Sequence, residues 1–184
     1  MPKAFIINDY QNDLISEDGA LFCGKEAQSI DSAICDYIER FIVNGDFVAV
    51  CMDTHRLNDP YHPETALFPP HSLQGCSGHK LYGKVAEKVA KLQTQVPQQI
   101  VLIEKCRYSA FSGTPLDIWL RSRRVQELTL AGVCTDMCVL HTAIDAYNLA
   151  YKVIIPRVVC YTPNAIGEEF AFAHFVEAMG IQVI

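Results

Sequence analysis

The chain of 184 residues is half hydrophobic and carries a formal net charge of −6, with no basic stripe. This composition excludes a disordered chain and argues against nucleic acid or an anionic membrane surface as a partner. The length suits one domain with a sizeable core, and we predict a single domain over residues 1–184. No apolar stretch is long enough for a membrane span, and the first residues read as a short strand rather than a signal peptide. The eight cysteines are scattered without a Cys-x-x-Cys pair, so we expect free thiols and a cytoplasmic location.

Strands and helices alternate from the start of the chain. Apolar runs predict buried strands over 4–8 and 47–52, with a helix over 27–44 between them that ends at Gly45. A loop with several prolines follows over 59–78, and a loop of that length usually carries a function. A short helix over 84–92 leads to a third strand over 99–104.

The second half of the chain continues this alternation. We predict helices over 116–122 and 135–149, strands over 125–131, 152–155 and 181–184, and a last helix from Thr162-Pro163 to about Met179. The whole pattern predicts the α/β class. We expect one three-layer α/β/α domain with a six-stranded, mostly parallel, Rossmann-like sheet.

Polar residues stand just beyond four of the predicted strands. They are Asp9, Asp53 with His55, Lys105 and Cys138. Each alone could serve as an ordinary turn or capping residue. Because the carboxyl ends of parallel strands lie at one edge of a sheet, where α/β proteins bind ligands, their common placement favours a functional site.

The run Leu130–Val139 (LAGVCTDMCV) contains the best candidate for a nucleophile. We predict that Gly132 forms a turn and that Thr135 or Asp136 caps the next helix, which puts Cys138 in the first helical turn. The helix dipole there favours thiolate over thiol. The alternative is that both cysteines of the run are small packing residues, the commoner role of cysteine.

A nucleophilic Cys138 needs a base and donors for an oxyanion. Asp9 is one candidate base, provided that burial raises its pKa, and His141 is a rival because it shares a helix face with Cys138. Lys105 could hold Asp9 in place. The backbone N–H groups of Cys134 and Cys138 could form the oxyanion hole.

A metal site is a second hypothesis. Asp53 and His55 are two residues apart, so in an extended segment both side chains can reach one ion. His71, with Glu64 or His62, would come from the following loop. Such ligands suit zinc, manganese or iron(II) without selecting one. The alternative is a solvated loop with incidental histidines.

Taken together, these motifs resemble the nicotinamidase branch of the isochorismatase-like cysteine hydrolases. The resemblance covers the chain from Asp9 to beyond Asn148. It depends on five motifs in order: DYQND at 9–13, DTH at 53–55, PHSLQG at 70–75, KCRYSAF at 105–111 and GVCTDMCV at 132–139.

The resemblance implies a catalytic triad of Asp9, Lys105 and Cys138, which favours Asp9 over His141 as the base. It also implies a cis peptide bond at Val133–Cys134, so that the backbone of Cys134 would be the functional part of that residue.

The implied metal ligands are Asp53, His55 and His71, with Glu64 at a position where some members add a carboxylate. The expected cofactor is one divalent transition metal. We expect zinc, with iron and manganese as the alternatives.

The sequence departs from the family pattern at two positions. Leu14 replaces a usual phenylalanine in the substrate pocket, so Phe68 and Tyr108 remain as the aromatic candidates for packing a pyridine ring beside it. Asn8 stands where an apolar residue is usual, next to Asp9.

The activity implied by the resemblance is hydrolysis of nicotinamide to nicotinate and ammonia through a thioester, as in NAD salvage, with pyrazinamide also accepted. One alternative is a metal-free amide or ureido hydrolase of the same family. Another is a non-catalytic redox-sensing scaffold in which Cys134 and Cys138 form a pair. The resemblance also implies a homo-oligomer, although no feature of the sequence indicates one.

Overall fold

A parallel sheet of seven strands forms the centre of the protein in the computed structural model, which describes residues 1–184. The strand order is β3-β2-β1-β4-β5-β7, β6 pairs with β4, and every pairing is parallel. The strands are β1 (Lys3–Asn8), β2 (Phe47–Asp53), β3 (Ile100–Lys105), β4 (Glu127–Val133), β5 (Lys152–Ile155), β6 (Cys160–Tyr161) and β7 (Gln182–Val183). The predicted parallel sheet is confirmed, and β6 is an addition to the six predicted strands.

Helices cover both faces of this sheet. They are α1 (Asn12–Ile15), α2 (Lys25–Ser29), α3 (Asp31–Val43), α4 (Gly83–Gln95), α5 (Leu116–Ser122), α6 (Leu140–Asn148) and α7 (Ala165–Glu177). Consecutive residues of β1, β2 and β4 are buried, as expected when both faces are packed. The predicted three-layer α/β/α fold is therefore confirmed. None of the helices combines the length and the apolar composition that crossing a bilayer requires.

The helix predicted over 27–44 is in fact two helices, α2 and α3, that meet at Ile30. The first residue of α3, Asp31, turns its carboxylate toward the start of α4. There it accepts the backbone N–H groups of Lys84 and Val85 at 3.0 and 3.1 Å. The break therefore places a side-chain cap on α4, whose first N–H groups have no partner within their own helix.

The last helix begins at Ala165 instead of at Pro163. The side chain of Asn164 accepts the N–H of Gly167 at 3.1 Å and caps it. Thr162, the predicted cap, instead donates to the carboxylate of Asp136 at 2.7 Å. The hydroxyl of Thr162 still accepts the N–H of Asn164 at 3.4 Å, but its shorter hydrogen bond is with the distant Asp136.

The predicted helix from Thr135 begins as a π-helical turn over Thr135–Val139 that continues into α6. Its N-cap residue is Cys134, and no side chain caps it. The prediction that Thr135 or Asp136 caps this helix is therefore wrong. Cys138 lies near the end of the π turn.

Close backbone packing brings the ends of the central strands together. Gly132, which was expected to form a turn, instead lies in β4 and pairs with Asn8 in β1. A Cβ at Gly132 would collide with the backbone of Asn8. Its φ of 112° also favours glycine. In β2 and β3, Asp53 pairs with Lys105. The strand ends that carry the polar residues therefore lie side by side.

Candidate active site

Asp9 and Lys105 form a buried ion pair at the carboxyl edge of the sheet. Asp9 follows β1 with a φ of 54°, a left-handed conformation that aspartate adopts more readily than most residues. The Nζ of Lys105, at the end of β3, lies 2.8 Å from Oδ2 of Asp9, and both side chains are 0% exposed. The same Nζ lies 3.6 Å from Sγ of Cys138 and donates to the carbonyl of Arg107 at 3.1 Å. Lys105 therefore contacts both the acid and the thiol of the predicted triad.

The charges of these three groups depend on one another. Burial raises the pKa of Asp9 to about 6, although the ammonium of Lys105 opposes the rise. Burial acts to lower the pKa of Lys105, but the charge of Asp9 outweighs it and raises that pKa above its usual value. Burial and the charge of Asp9 raise the pKa of Cys138 well above its usual range. The expectation that the helix start favours a resting thiolate is therefore wrong, and Cys138 needs a base.

Asp9 is free to accept a proton. The ammonium of Lys105 lies 2.8 Å from Oδ2, and a hydrogen bond with the thiol of Cys138 acts to lower the pKa of Asp9 and to raise the pKa of Cys138. His141, the rival base, is exposed, and its Nδ1 lies 2.7 Å from the carbonyl oxygen of Met137 on its own helix. His141 also lies outside the set of residues that line the cavity beside Cys138.

The structure brings Asp53, His55, Glu64 and His71 together beside the ion pair. All four are buried, and their ligand atoms lie within 4.8 Å of one another. Nε2 of His55 and Nε2 of His71 lie 2.7 and 3.3 Å from the same carboxylate oxygen of Asp53. Nε2 of His71 also lies 3.6 Å from Oε2 of Glu64. Two carboxylates and two imidazoles form a donor set that suits a divalent transition metal.

Neighbouring groups orient this cluster. Nδ1 of His71 lies 2.9 Å from the carbonyl oxygen of Pro69, which directs Nε2 toward the carboxylates. His62, the other histidine of the loop, has both ring nitrogens occupied. Its Nε2 lies 2.8 Å from the carbonyl oxygen of Cys106, and its Nδ1 accepts the N–H of Glu64 at 3.3 Å. His62 therefore positions Glu64 and is not free to act as a ligand.

The electrostatics of the cluster also fit a cation. Burial acts to raise the pKa of Asp53, but hydrogen bonds from His55 and His71 hold it well below its usual range. Burial acts to lower the pKa of His71, but hydrogen bonds to Asp53 and Glu64 raise it to about 10. The negative charges of the two buried carboxylates therefore favour a cation in the space between the four side chains.

A mostly apolar cavity of about 210 Å³ lies between the thiol and the metal cluster. Its walls include Asp9 and Cys138 as well as three of the cluster residues. The pocket residues predicted from the sequence, Leu14, Phe68 and Tyr108, all line it. Five further lining residues were not predicted: Leu21, Phe22, Cys23, Met137 and Pro163. They lie in loops or in the π turn, where no periodic pattern marks them.

The peptide bond Val133–Cys134 is cis, as the family resemblance implies. The carbonyl of Cys134 accepts the N–H groups of Met137 and Val139 at 3.1 and 3.2 Å, whereas its own N–H makes no backbone hydrogen bond. Because Cys134 also lines the cavity, this N–H is a suitable donor for an oxyanion.

Both polar atoms of the buried Asn8 side chain are hydrogen-bonded. Its Nδ2 donates to the carbonyl of Ala131 at 3.2 Å, and its Oδ1 accepts the hydroxyl of Thr142 at 3.2 Å. Thr142 in turn accepts the N–H of Ala110 at 2.9 Å. This chain of hydrogen bonds connects the segments that carry Asp9, Lys105 and Cys138, and it gives the polar residue at position 8 a partner.

Comparisons with known proteins find similarity to one family along essentially the whole chain. The model of the isochorismatase domain matches residues 3–184. The isochorismatase family protein PncA of Bacillus subtilis is 45% identical over 183 residues, which cover 100% of this chain and 99% of the relative. The crystal structure of nicotinamidase/pyrazinamidase PncA from Bacillus subtilis superposes with a TM-score of 0.95 and the same coverage.

Two further solved structures extend this agreement. The pyrazinamidase/nicotinamidase of Streptococcus mutans has a TM-score of 0.94 at 43% identity and 99% coverage of both chains. The pyrazinamidase of Pyrococcus horikoshii, solved in complex with zinc, has a TM-score of 0.86 at 27% identity, covering 100% of this chain and 99% of that one. The chain belongs to the isochorismatase family.

Proposed function

We propose that this protein is a metal-dependent cysteine amidohydrolase that converts nicotinamide to nicotinate and ammonia. One observation carries the proposal: a single cavity has the thiol of Cys138 and the carboxylate of Asp9 on one side and a cluster of metal-binding side chains on the other. A flat aromatic amide can present its amide to the thiol and its ring nitrogen to the cluster. The relatives named nicotinamidase and pyrazinamidase support this substrate class.

In the first half of the reaction, Asp9 takes the proton of the Cys138 thiol as Sγ attacks the amide carbon. The backbone N–H groups of Cys134 and Cys138 stabilise the negative charge on the amide oxygen. Asp9 then gives its proton to the departing nitrogen, the C–N bond breaks, and ammonia leaves a thioester on Cys138.

In the second half, a water molecule attacks the thioester carbon while Asp9 takes one of its protons. The C–S bond breaks, the thiolate of Cys138 regains a proton, and nicotinate leaves. Before the substrate reacts, the ammonium of Lys105 opposes the rise in the pKa of Asp9 that burial causes, so that Asp9 is ionised at neutral pH and can accept the proton. The product has the chemistry expected of a step in NAD salvage.

Asp53, His55, Glu64 and His71 would hold one divalent transition metal, for which we propose zinc, with iron and manganese as the alternatives. When bound, such a metal is a Lewis acid that can hold the pyridine nitrogen of the substrate. The apolar residues Leu14, Phe68 and Tyr108 would pack against the ring and exclude water from it.

The proposal is tested by measuring ammonia release from nicotinamide, from pyrazinamide and from a small ureido compound. The protein is assayed as purified, after treatment with a chelator, and after re-addition of zinc, iron(II) or manganese. We expect kcat/KM for nicotinamide to exceed that for the ureido compound by at least about tenfold, and chelation to abolish the activity reversibly. Preference for the ureido compound without dependence on a metal would favour the metal-free alternative.

A further inference from the structure

Two cysteine side chains touch in the wall of the cavity that contains Cys138. The Sγ atoms of Cys23 and Cys134 lie 3.6 Å apart, although the residues are 111 positions apart in the sequence. Both line the cavity, and all eight cysteines of the chain are free. Cys23 lies in the loop between α1 and α2, whereas Cys134 directly follows β4. The contact therefore joins a loop to the segment that holds the nucleophile.

We propose that Cys23 and Cys134 are a modification site at which hydrogen peroxide forms a disulfide without involving Cys138. In the first step, the sulfur of Cys23 attacks one peroxide oxygen, the O–O bond breaks, and a sulfenic acid and water form. In the second step, the sulfur of Cys134 attacks the sulfur of Cys23, the S–O bond breaks, and a second water leaves with the thiol proton. Two thiols lose two electrons in total, and one peroxide is reduced to two waters.

The pKa values of the two thiols are shifted in opposite directions, in agreement with attack by Cys23 before Cys134. A hydrogen bond with Cys134 lowers the pKa of Cys23. The same hydrogen bond, with burial, raises the pKa of Cys134. Because the thiolate is the reactive form, these directions agree with an order in which Cys23 attacks first. The Sγ of Cys138 contacts the Nζ of Lys105 at 3.6 Å instead of a second thiol, so the preformed pair is Cys23 with Cys134, and the raised pKa of Cys138 agrees with its lower reactivity.

The access of peroxide to the two sulfur atoms and the short distance between them also favour a disulfide between Cys23 and Cys134. The cavity of about 210 Å³ admits a molecule as small as peroxide to both sulfur atoms. A disulfide bond is about 2.05 Å long, so the sulfur atoms must approach from 3.6 Å. Cys23 lies in a loop, so it can move more readily than Cys134, whose carbonyl accepts two backbone N–H groups. Because the N–H of Cys23 donates to the carbonyl of Leu14 at 2.8 Å, this movement would also disturb the cavity wall.

Formation of the disulfide would therefore also alter the geometry of the candidate active site. Cys134 carries a backbone N–H that the proposed function assigns to the oxyanion hole, and loss of one such donor costs about 10²–10³ in kcat. This consequence rests on the proposed function, whereas formation of the disulfide does not. We expect oxidation to lower ammonia release at least about tenfold and a reducing agent to restore it.

The test treats the full chain with hydrogen peroxide, blocks the remaining thiols under denaturing conditions, and maps the peptides by mass spectrometry. We expect a mass loss of two hydrogens, a single crosslinked peptide pair containing Cys23 and Cys134, and a blocked, unoxidised Cys138. The variant Cys23→Ser should form no crosslink. Cys76→Ser, which removes an exposed cysteine, should form the same crosslink as the unaltered protein.

Activity is compared with the untreated rate of the same variant, before and after reduction. The proposal would be supported if oxidation lowers ammonia release and reduction restores it in the unaltered protein and in Cys76→Ser, but Cys23→Ser shows no such reversible loss. A disulfide between Cys134 and Cys138, or added oxygen on Cys138 with Cys23 and Cys134 still free, would overturn it. Peptide mapping gives this answer even if nicotinamide is not the substrate, and mapping of the unaltered protein suffices if Cys23→Ser does not fold.

Discussion

The Nζ of Lys105 lies 2.8 Å from Oδ2 of Asp9, and neither side chain has any exposure to solvent. Removing one partner of such a buried pair leaves an unpaired charge, which typically costs about 3–5 kcal/mol. We therefore expect Lys105→Met to lower the free energy of unfolding by about 3 kcal/mol at neutral pH, as measured by urea denaturation.

This loss should depend on pH in one direction. Without Lys105, the pKa of Asp9 in the folded protein rises further above its value in the unfolded chain, so the penalty disappears as protonation removes the charge. The stability of Lys105→Met relative to the unaltered protein should therefore improve as the pH falls through the further raised pKa of Asp9 in the variant, and the improvement should level off below about 6, where Asp9 is protonated in both folded proteins. Adding Asp9→Asn should recover part of the loss at neutral pH. A difference in stability that is independent of pH would contradict the buried ion pair.

The activity should require ionised Asp9. Because Asp9 must take the thiol proton, kcat/KM should fall on the acidic side with an apparent pKa of about 6. The charge of Asp53 contributes to raising this pKa, so a cation bound beside Asp53 would move the acidic limb lower, not higher. A profile that instead keeps rising into the alkaline range would indicate that Cys138 must ionise before the substrate binds.

Metal binding should release a proton from His71. Hydrogen bonds to Asp53 and Glu64 raise the pKa of His71 to about 10 despite its burial, so this imidazole carries a proton at neutral pH. A metal ligand must be deprotonated, so about one proton should leave per metal bound. Calorimetric titration with zinc in two buffers of different ionisation enthalpy measures this number. Equal apparent enthalpies in the two buffers would mean that His71 is already neutral.

The side chains of Thr142 and Asn8 should position the catalytic segments. Thr142→Val leaves the N–H of Ala110 and the amide oxygen of Asn8 without partners, which should cost about 1–3 kcal/mol of stability. It should also lower kcat by about tenfold with little change in KM, because the reacting groups move apart while the ring pocket stays intact. Thr142→Ser keeps the hydroxyl and should retain the kcat of the unaltered protein. Equal kcat values for the two variants would rule out a positioning role.

Elements with a strong local pattern were predictable from the sequence. α5 and β5 have the predicted boundaries, and the other long strands agree within two residues. The two-residue strand β6 has no pattern of its own, since only its pairing with β4 makes it a strand. The start of α7 was missed because Thr162 is held by Asp136, a partner 26 positions away.

Some features of the candidate site were likewise predictable from the sequence, and others were not. The grouping of Asp9, Asp53 and Lys105 was predictable because a parallel sheet places its strand ends at one edge. The protonation state of the resting Cys138 was not predictable from the sequence. Burial and neighbouring charges raise its pKa, and both depend on the folded chain. The roles of the individual residues, the identity of the metal, the cytoplasmic location and the homo-oligomer stay predictions.

The role of Cys138 as the nucleophile in nicotinamide hydrolysis is tested most directly by one comparison. Ammonia release from nicotinamide is measured for the metal-loaded Cys138→Ala variant and for the unaltered protein under the same conditions. Loss of the attacking sulfur should lower kcat by at least about 10⁴-fold while metal content is unchanged. Retention of activity within about tenfold of the unaltered protein would contradict a thioester mechanism at Cys138.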